Sequence, residues 1–224
     1  MVVYIQLCGK RAKECEEVLK LEPIEFTSSD SIISASLPDK KYQIIYSDPP
    51  WRYSNPKGND PKLGGITYPT MTLEEICNLP VSQIAAQDSV LFRWATMPML
   101  TEALQVMNAW GFQYRTVAFV WVKLNPSGAG IYSGLGHWTN QNAELVLFGK
   151  RGHPKRQSRS IKQIIMAPRG RHSAKPPEIR DRIVELMGDL PRIELFARKP
   201  KNQLFEDESF KVWDLWGNEA KADE

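Results

Sequence analysis

The sequence predicts an α/β fold, a mainly parallel central sheet with flanking helices, built as a single domain over residues 1–224. Three observations predict it. Apolar runs of strand length alternate with helical patterns, the order that a parallel sheet with crossover helices requires. Proline opens and glycine closes the helical segments, so the elements are punctuated where they should turn. With 224 residues, 42% of them hydrophobic, the chain can bury one good core, and no repeat of fixed period divides it.

Residues 1–40 carry weak signals, a short helix at AKECEEVLKL and a polar stretch TSSDSIISASLPDKK. YQIIYS, residues 42–47, is the first clear strand. Asp48-Pro49-Pro50 ends it, because proline cannot donate to a ladder and pushes the residue before it extended. NPKGNDPKLGGITYPT, rich in Gly, Pro and Asn, reads as a long loop. Thr72 and Glu75 form a capping-box pattern that opens a helix to about Leu79, and VSQIAA adds a turn. SVLFRWAT is a second buried strand. PMLTEALQVMNAWG is a helix with Pro98 in its first turn and Gly111 as its stop. YRTVAFVWVK is a third strand, NPSGAGIYSGLGHW a glycine-rich loop, AELVLFGK a fourth strand and QIIMAP a short fifth. PPEIRDRIVELMG then reads as a helix closed by Gly188, and RIELFAR as the last strand. Ligands of such sheets lie outside the C-terminal ends of the strands, so the joints YS|DPPW and LF|ARKP are the places to look.

Composition narrows the function. No apolar stretch approaches the roughly 18 to 20 residues of a membrane span, and the N-terminus turns charged too early for a secretory signal, so a cytoplasmic protein is expected. Cys8, Cys15 and Cys77 form neither a disulfide set nor a zinc pattern, and His137, His153 and His172 are scattered. No metal and no thiol nucleophile are therefore expected. The net charge is only +3, yet nine lysines and arginines from Lys150 to Lys175 stand between Glu144 and Glu178 without one acid. Such a run is either a solvated loop or a phosphate-binding segment, and Arg156 and Arg159 are its candidate nucleic-acid contacts.

Asp48, Pro49, Pro50 and Trp51 at a strand end have a chemistry of their own. The Asp48 carboxylate and the Pro49 carbonyl are hydrogen-bond acceptors, the prolines keep both aimed, and Trp51 offers a flat face. A planar group with a weakly basic NH2, such as adenine, suits that set. Two acceptors for its two protons favour a tetrahedral nitrogen and stabilise the charge that grows on it during attack on an electrophile. The plain alternative is a tight turn whose aromatic plugs a pocket.

DPPW after an apolar strand resembles the catalytic signature of amino-group methyltransferases. With YPTMTLEEI, VLFRWAT, WGF, FVWVKLN, GHWTNQNAELVLFGKRG, SAKPPEIRDRIVEL and RIELFAR in the same order, the chain resembles a specific adenine methyltransferase family over about Tyr42 to Arg198. That family is typified by the catalytic subunit of the eukaryotic messenger-RNA adenosine methyltransferase and has compact bacterial and viral DNA-modifying members. The resemblance implies a Rossmann-like, S-adenosylmethionine-dependent methyltransferase fold with the catalytic motif ahead of the cofactor motif. It places Asp48 between cofactor and target amine, with Pro49 as second acceptor and Trp51 bordering the base pocket. Tyr68 falls on a loop over that pocket, and Trp121 and Lys123 belong to a motif near it. Lys175 would meet the cofactor's methionine carboxylate, Arg198 and Asn202 its ribose, Asn218 and Glu219 its ribose and adenine, and Asp30 its adenine. His137 and Trp138 would stack on or orient the nucleic acid, and Glu144 would hold their loop through a cation. Glu194, odd for a core strand, would pair with a cation near the site or face solvent. DNA is the favoured partner and RNA the second; a homodimer or a heterodimer is compatible with the family, as is a catalytically silent nucleic-acid-binding subunit. A cytoplasmic location in a bacterial or phage-infected cell follows.

Overall fold

In the computed structural model, which describes residues 36–52, 69–134, 136, 138–170, 174–197 and 212–217, twelve elements follow one another. They are β1 (Tyr42–Ser47), α1 (Leu73–Cys77), α2 (Val81–Ile84), β2 (Ala85–Ala95), a 3-10 turn (Met97–Met99), α3 (Leu100–Ala109), β3 (Gln113–Leu124), β4 (Ala143–Arg151), β5 (Ile164–Pro168), α4 (Glu178–Met187), β6 (Arg192–Leu195) and β7 (Asp214–Trp216). The strands form one sheet in the order β5-β3-β4-β2-β1-β6-β7. β1 pairs in parallel with both β2 and β6, β6 with β7 and β3 with β5. β4 alone runs the other way, antiparallel to β2 and β3.

Two cores result, one on each face of the sheet. Ile45, Leu91, Leu147 and Ile193 point to the face covered by α1 and α3, where Ile76, Ala103, Val106 and Trp110 meet them. Ile44, Phe92, Val146 and Ile165 point to the other face, covered by Ile179, Ile183 and Met187 of α4. Strands buried on both faces read as unbroken apolar runs, which is why β1 and β2 stood out in the sequence. The layering is consistent with a Rossmann-like methyltransferase fold. Among the described residues no helix is long and apolar enough to cross a membrane.

Local chemistry sets the helix ends. The capping box is formed: Glu75 N–H donates to Thr72 Oγ1 at 3.2 Å, and Thr72 N–H to Glu75 Oε2 at 2.6 Å. α4 stops at Gly188, whose φ of 94° a side chain would resist. Several boundaries differ from the sequence reading. Ala85 and Ala86, expected to extend the turn of VSQIAA, already belong to β2, whose register with β1 shifts between Tyr42 and Ile44. Pro98 sits in the 3-10 turn, and α3 begins after it. β6 stops at Leu195, because Phe196 takes a left-handed φ of 63°. β7 has only three residues and no alternating pattern of its own, so the sequence offered no sign of it.

Candidate active site

The signature is a turn stapled at two points. Trp51 N–H donates to the Pro49 carbonyl at 2.9 Å, closing a three-residue turn centred on Pro50, whose ring pre-sets the φ such a turn needs. Met71 N–H donates to the Pro50 carbonyl at 2.7 Å, and Arg52 N–H to the Met71 carbonyl at 2.9 Å. The Pro49 carbonyl keeps one lone pair beyond its bond to Trp51. Asp48 leaves β1 with its side chain 30% exposed.

Topology gathers four charges beside that turn. The antiparallel β4 begins at the sheet end where β1, β2 and β3 finish, and its register puts Glu144 opposite Trp121, two residues before Lys123. Lys123 Nζ lies 2.5 Å from Glu144 Oε1. Lys175, on the segment leading into α4, lies 2.8 Å from Asp48 Oδ2 and 3.4 Å from Glu144 Oε2, with its ammonium over the Trp94 ring. The row alternates in sign, Asp48, Lys175, Glu144, Lys123, and sums to zero. Burial alone would lower the Lys175 pKa, but Asp48 and Glu144 outweigh it and hold the ammonium above the usual lysine range. Burial would likewise raise Glu144, yet Lys175 and Lys123 pull it below its ordinary value.

The Glu144 shift makes a stability prediction. A carboxyl whose folded pKa is depressed contributes stability above its ordinary value, here 4.5, and loses it as pH falls through the folded value. Glu144→Gln should therefore lower stability by about 3 kcal/mol near neutral pH, since it takes the carboxylate from Lys123 and leaves Lys175 with Asp48 alone. The gap from wild type should narrow steadily below about pH 4.5 in denaturant melts. A gap independent of pH would mean that Glu144 acts by packing alone.

The structure brings some of the expected residues together and not others. Asp48, Pro49 and Lys175 share one end of β1. Trp138 stands 99% exposed on the loop between β3 and β4, which opens at this end. Trp51 does not present the open stacking face expected of it: it is 5% exposed, packed in the core with its ring against the Arg93 guanidinium. Trp121, at 2%, is also a core residue, its indole N–H donating to the Ala167 carbonyl; its ring lies under the Lys123 ammonium and edge-on to Trp94. Arg156 and Arg159 are exposed, but at the other end of the sheet. Their segment follows Arg151, which pairs with Ser89 early in β2, and Gln157 N–H donates to the Leu186 carbonyl in the last turn of α4. That is about 20 Å along the strands from the signature. β5 carries the chain back, so Arg169 lies at the site end, donating its N–H to the Leu124 carbonyl and resting on the Tyr132 ring. Tyr132 and Arg169 are thus site-end groups that the sequence reading left out or did not separate, beside Lys123 of the WVK motif. Asp30, Tyr68, His137, Arg198, Asn202, Asn218 and Glu219 lie outside the described residues.

The β6 end is shaped by its backbone. Phe196 is left-handed, while Ala197, where a positive φ would have been costly, is not. A side chain on Gly217 would meet the Phe196 backbone at 2.9 Å, so only glycine allows β7 to close on this turn. Strained backbone of this kind gathers at functional strand ends. Glu194 in β6 is neutralised by Arg180 of α4, with contacts of 2.6 and 2.9 Å. The ammonium of Lys175 beside this end fits the carboxylate of an amino-acid-bearing cofactor. Burial pushes the Cys77 thiol up, away from reactive thiolate behaviour.

Comparison with known proteins bears on this arrangement. The family model MT-A70 matches residues 42–219. The type II methyltransferase M.MunI of Mycoplasma sp is 34% identical over 238 aligned residues, covering 97% of this chain and 91% of that protein. The N(6)-adenosine-methyltransferase catalytic subunit METTL3 of Homo sapiens is 32% identical over 162 residues, 70% of this chain but 26% of its own length. The MT-A70-like N(6)-adenosine-methyltransferase of Drosophila melanogaster is 30% identical over 160 residues, again 70% of this chain and 24% of that protein. This chain therefore spans about a quarter of those two longer relatives. With the match running from β1 past β7 and the Asp-Pro-Pro-Trp turn at the middle of the sheet, the chain belongs to the MT-A70 family and is a methyltransferase.

Proposed function

We propose that this methyltransferase transfers the methyl group of S-adenosylmethionine to the exocyclic N6 amine of adenine in DNA, in the cytoplasm of a bacterial or phage-infected cell. The observation that carries the reading is the Asp48 carboxylate at the end of β1, 2.8 Å from Lys175 Nζ and fixed by a proline turn. When bound, S-adenosylmethionine supplies the electrophilic methyl. Lys175 would hold its carboxylate; Arg198, Asn202, Asn218, Glu219 and Asp30 are proposed for its ribose and adenine on the family resemblance alone. Asp48 accepts a hydrogen bond from one proton of the target NH2, and the free lone pair of Pro49 accepts from the other. Both acceptors act most on the nitrogen as it becomes tetrahedral and positive. Asp48 is open enough to pass the released proton to water.

A base must leave its stack to reach this corner, which costs a few kcal/mol from a duplex. Stacking on an exposed aromatic such as Trp138 returns about 1 to 3 kcal/mol of that. Arg169 is placed to take a phosphate. Arg169→Ala should therefore weaken nucleic-acid binding and reduce the slope of log K against log salt by about 1. The double variant Arg156→Ala, Arg159→Ala should leave that slope unchanged, and the reverse ranking would move the nucleic-acid path to the other end of the sheet.

DNA is preferred because the chain covers nearly all of a compact bacterial type II methyltransferase. RNA adenosine is the second reading, supported by the relatives named N(6)-adenosine methyltransferases. A silent partner subunit is disfavoured by the intact Asp48 and Lys175. Incubation with labelled S-adenosylmethionine and, separately, duplex DNA, single-stranded DNA and RNA, followed by mapping of the modified base, tests all three. Label on adenine N6 of DNA is the expected result; label on RNA alone favours the second reading, and none at all the third.

A further inference from the structure

Arg93 is the strangest residue of the core. It lies in β2, the strand beside β1, and is 0% exposed. None of its three nitrogens meets a hydrogen-bond partner among the described residues. A guanidinium carries five donors in a fixed fork, so this is the costliest kind of group to bury unmatched. Its Cζ instead lies 4.9 Å from the Trp51 ring centroid and 5.1 Å from that of Trp110. Trp110 is itself anchored, its indole N–H donating to the Ile76 carbonyl of α1 at 2.9 Å. Across the parallel register Arg93 faces Ser47, the residue before Asp48; the Ser47 hydroxyl is also buried and meets no partner among the described residues.

Stability does not account for this choice. Desolvating a guanidinium costs more than two ring contacts return, and an apolar side chain of the same length would fill the space without that cost. Such a group is kept where it serves something other than folding. What it touches is the signature tryptophan. A planar cation on a stiff strand holds an indole in one orientation better than a flexible thioether or alkyl chain can. Trp51 in turn follows Pro50, and its backbone N–H closes the turn onto the Pro49 carbonyl, so the residue whose ring Arg93 packs against is the one that ends the acceptor turn.

We propose that Arg93 is a positioning residue for methyl transfer, linking α1 through Trp110 to Trp51 and so fixing the turn that aims Asp48 and the Pro49 carbonyl. The inference rests on the acceptor roles proposed above for those two groups. Burial pushes the guanidinium down to about 9, which leaves it cationic at neutral pH.

The test compares wild type, Arg93→Met and Arg93→Lys for Tm, kcat and the KM of S-adenosylmethionine and of the methylated nucleic acid. Arg93→Met should keep or raise Tm and hold both KM values within about twofold, while kcat falls on the order of tenfold to a hundredfold, as small misplacements of reacting groups do. Arg93→Lys, charged but not planar, should recover part of kcat. Arg93→Met with wild-type kcat overturns the proposal, as does a loss of kcat matched by a loss of Tm. Should Arg93→Met not fold, Arg93→Lys decides by the same readouts: a lowered kcat at unchanged KM supports the role, and a wild-type kcat removes it. A wild type that methylates no nucleic acid counts instead against the proposed function.

Discussion

Asp48→Ala is expected to abolish methyl transfer, by on the order of a thousandfold or more in kcat, while the chain stays folded. The size of the effect follows from where the carboxylate acts. Adenine's amine is a poor nucleophile because its lone pair is spread into the ring, and only acceptors on its two protons make the tetrahedral nitrogen affordable. Removing one of two leaves the Pro49 carbonyl without a charged acceptor beside it among the described residues, since Glu144 is taken up by Lys175 and Lys123. The fold should survive because Lys175 keeps its contact with Glu144 and no charge is stranded. Asp48→Asn preserves an acceptor oxygen but loses the attraction to Lys175, so it should fall between wild type and alanine. Labelled-methyl assays with a melting curve on each variant check both halves. Alanine turning over at the wild-type rate would take Asp48 out of the chemistry, however well placed it is.

What the sequence made legible was local or periodic. β1 and β2 could be read because both faces of each are buried, and the DPPW turn because proline has few other uses at a strand end. The need of Glu144 for a cation was also visible, but not which cation. Lys123 and Lys175 reach it only because β4 is inserted antiparallel between β3 and β2, a pairing that leaves no mark on composition. The basic run from Lys150 to Lys175 read as one surface for a similar reason. β5, only five residues long, crosses the sheet inside it and sends Arg156 and Arg169 to opposite ends. Trp51 follows the plainer of the two sequence alternatives: the turn is tight, and its aromatic plugs the core beneath it. The signal that could have warned of this was Arg93 itself, a lone arginine in VLFRWA. A charge inside a doubly buried strand needs a reason, and Glu194 in RIELF posed the same question, answered there by Arg180.

Lys175→Met should weaken S-adenosylmethionine binding about thirtyfold or more in calorimetry, the effect of roughly 2 kcal/mol or more for one charge-assisted contact in a desolvated site. Methionine keeps most of the stem and removes the charge, together with its contact over the Trp94 ring. The same change should cost about 3 kcal/mol of stability, because Asp48 and Glu144 then lose the cation between them. These two losses have separate causes and can be pulled apart. Adding Asp48→Asn to Lys175→Met removes the carboxylate left without its ion-pair partner, Glu144 still having Lys123, so part of the stability should return. Cofactor affinity should not, since nothing in the double variant replaces the ammonium. Recovery of both together would mean that Lys175 only keeps the charges of the protein apart; recovery of stability alone leaves the ammonium as the group that the cofactor's carboxylate meets.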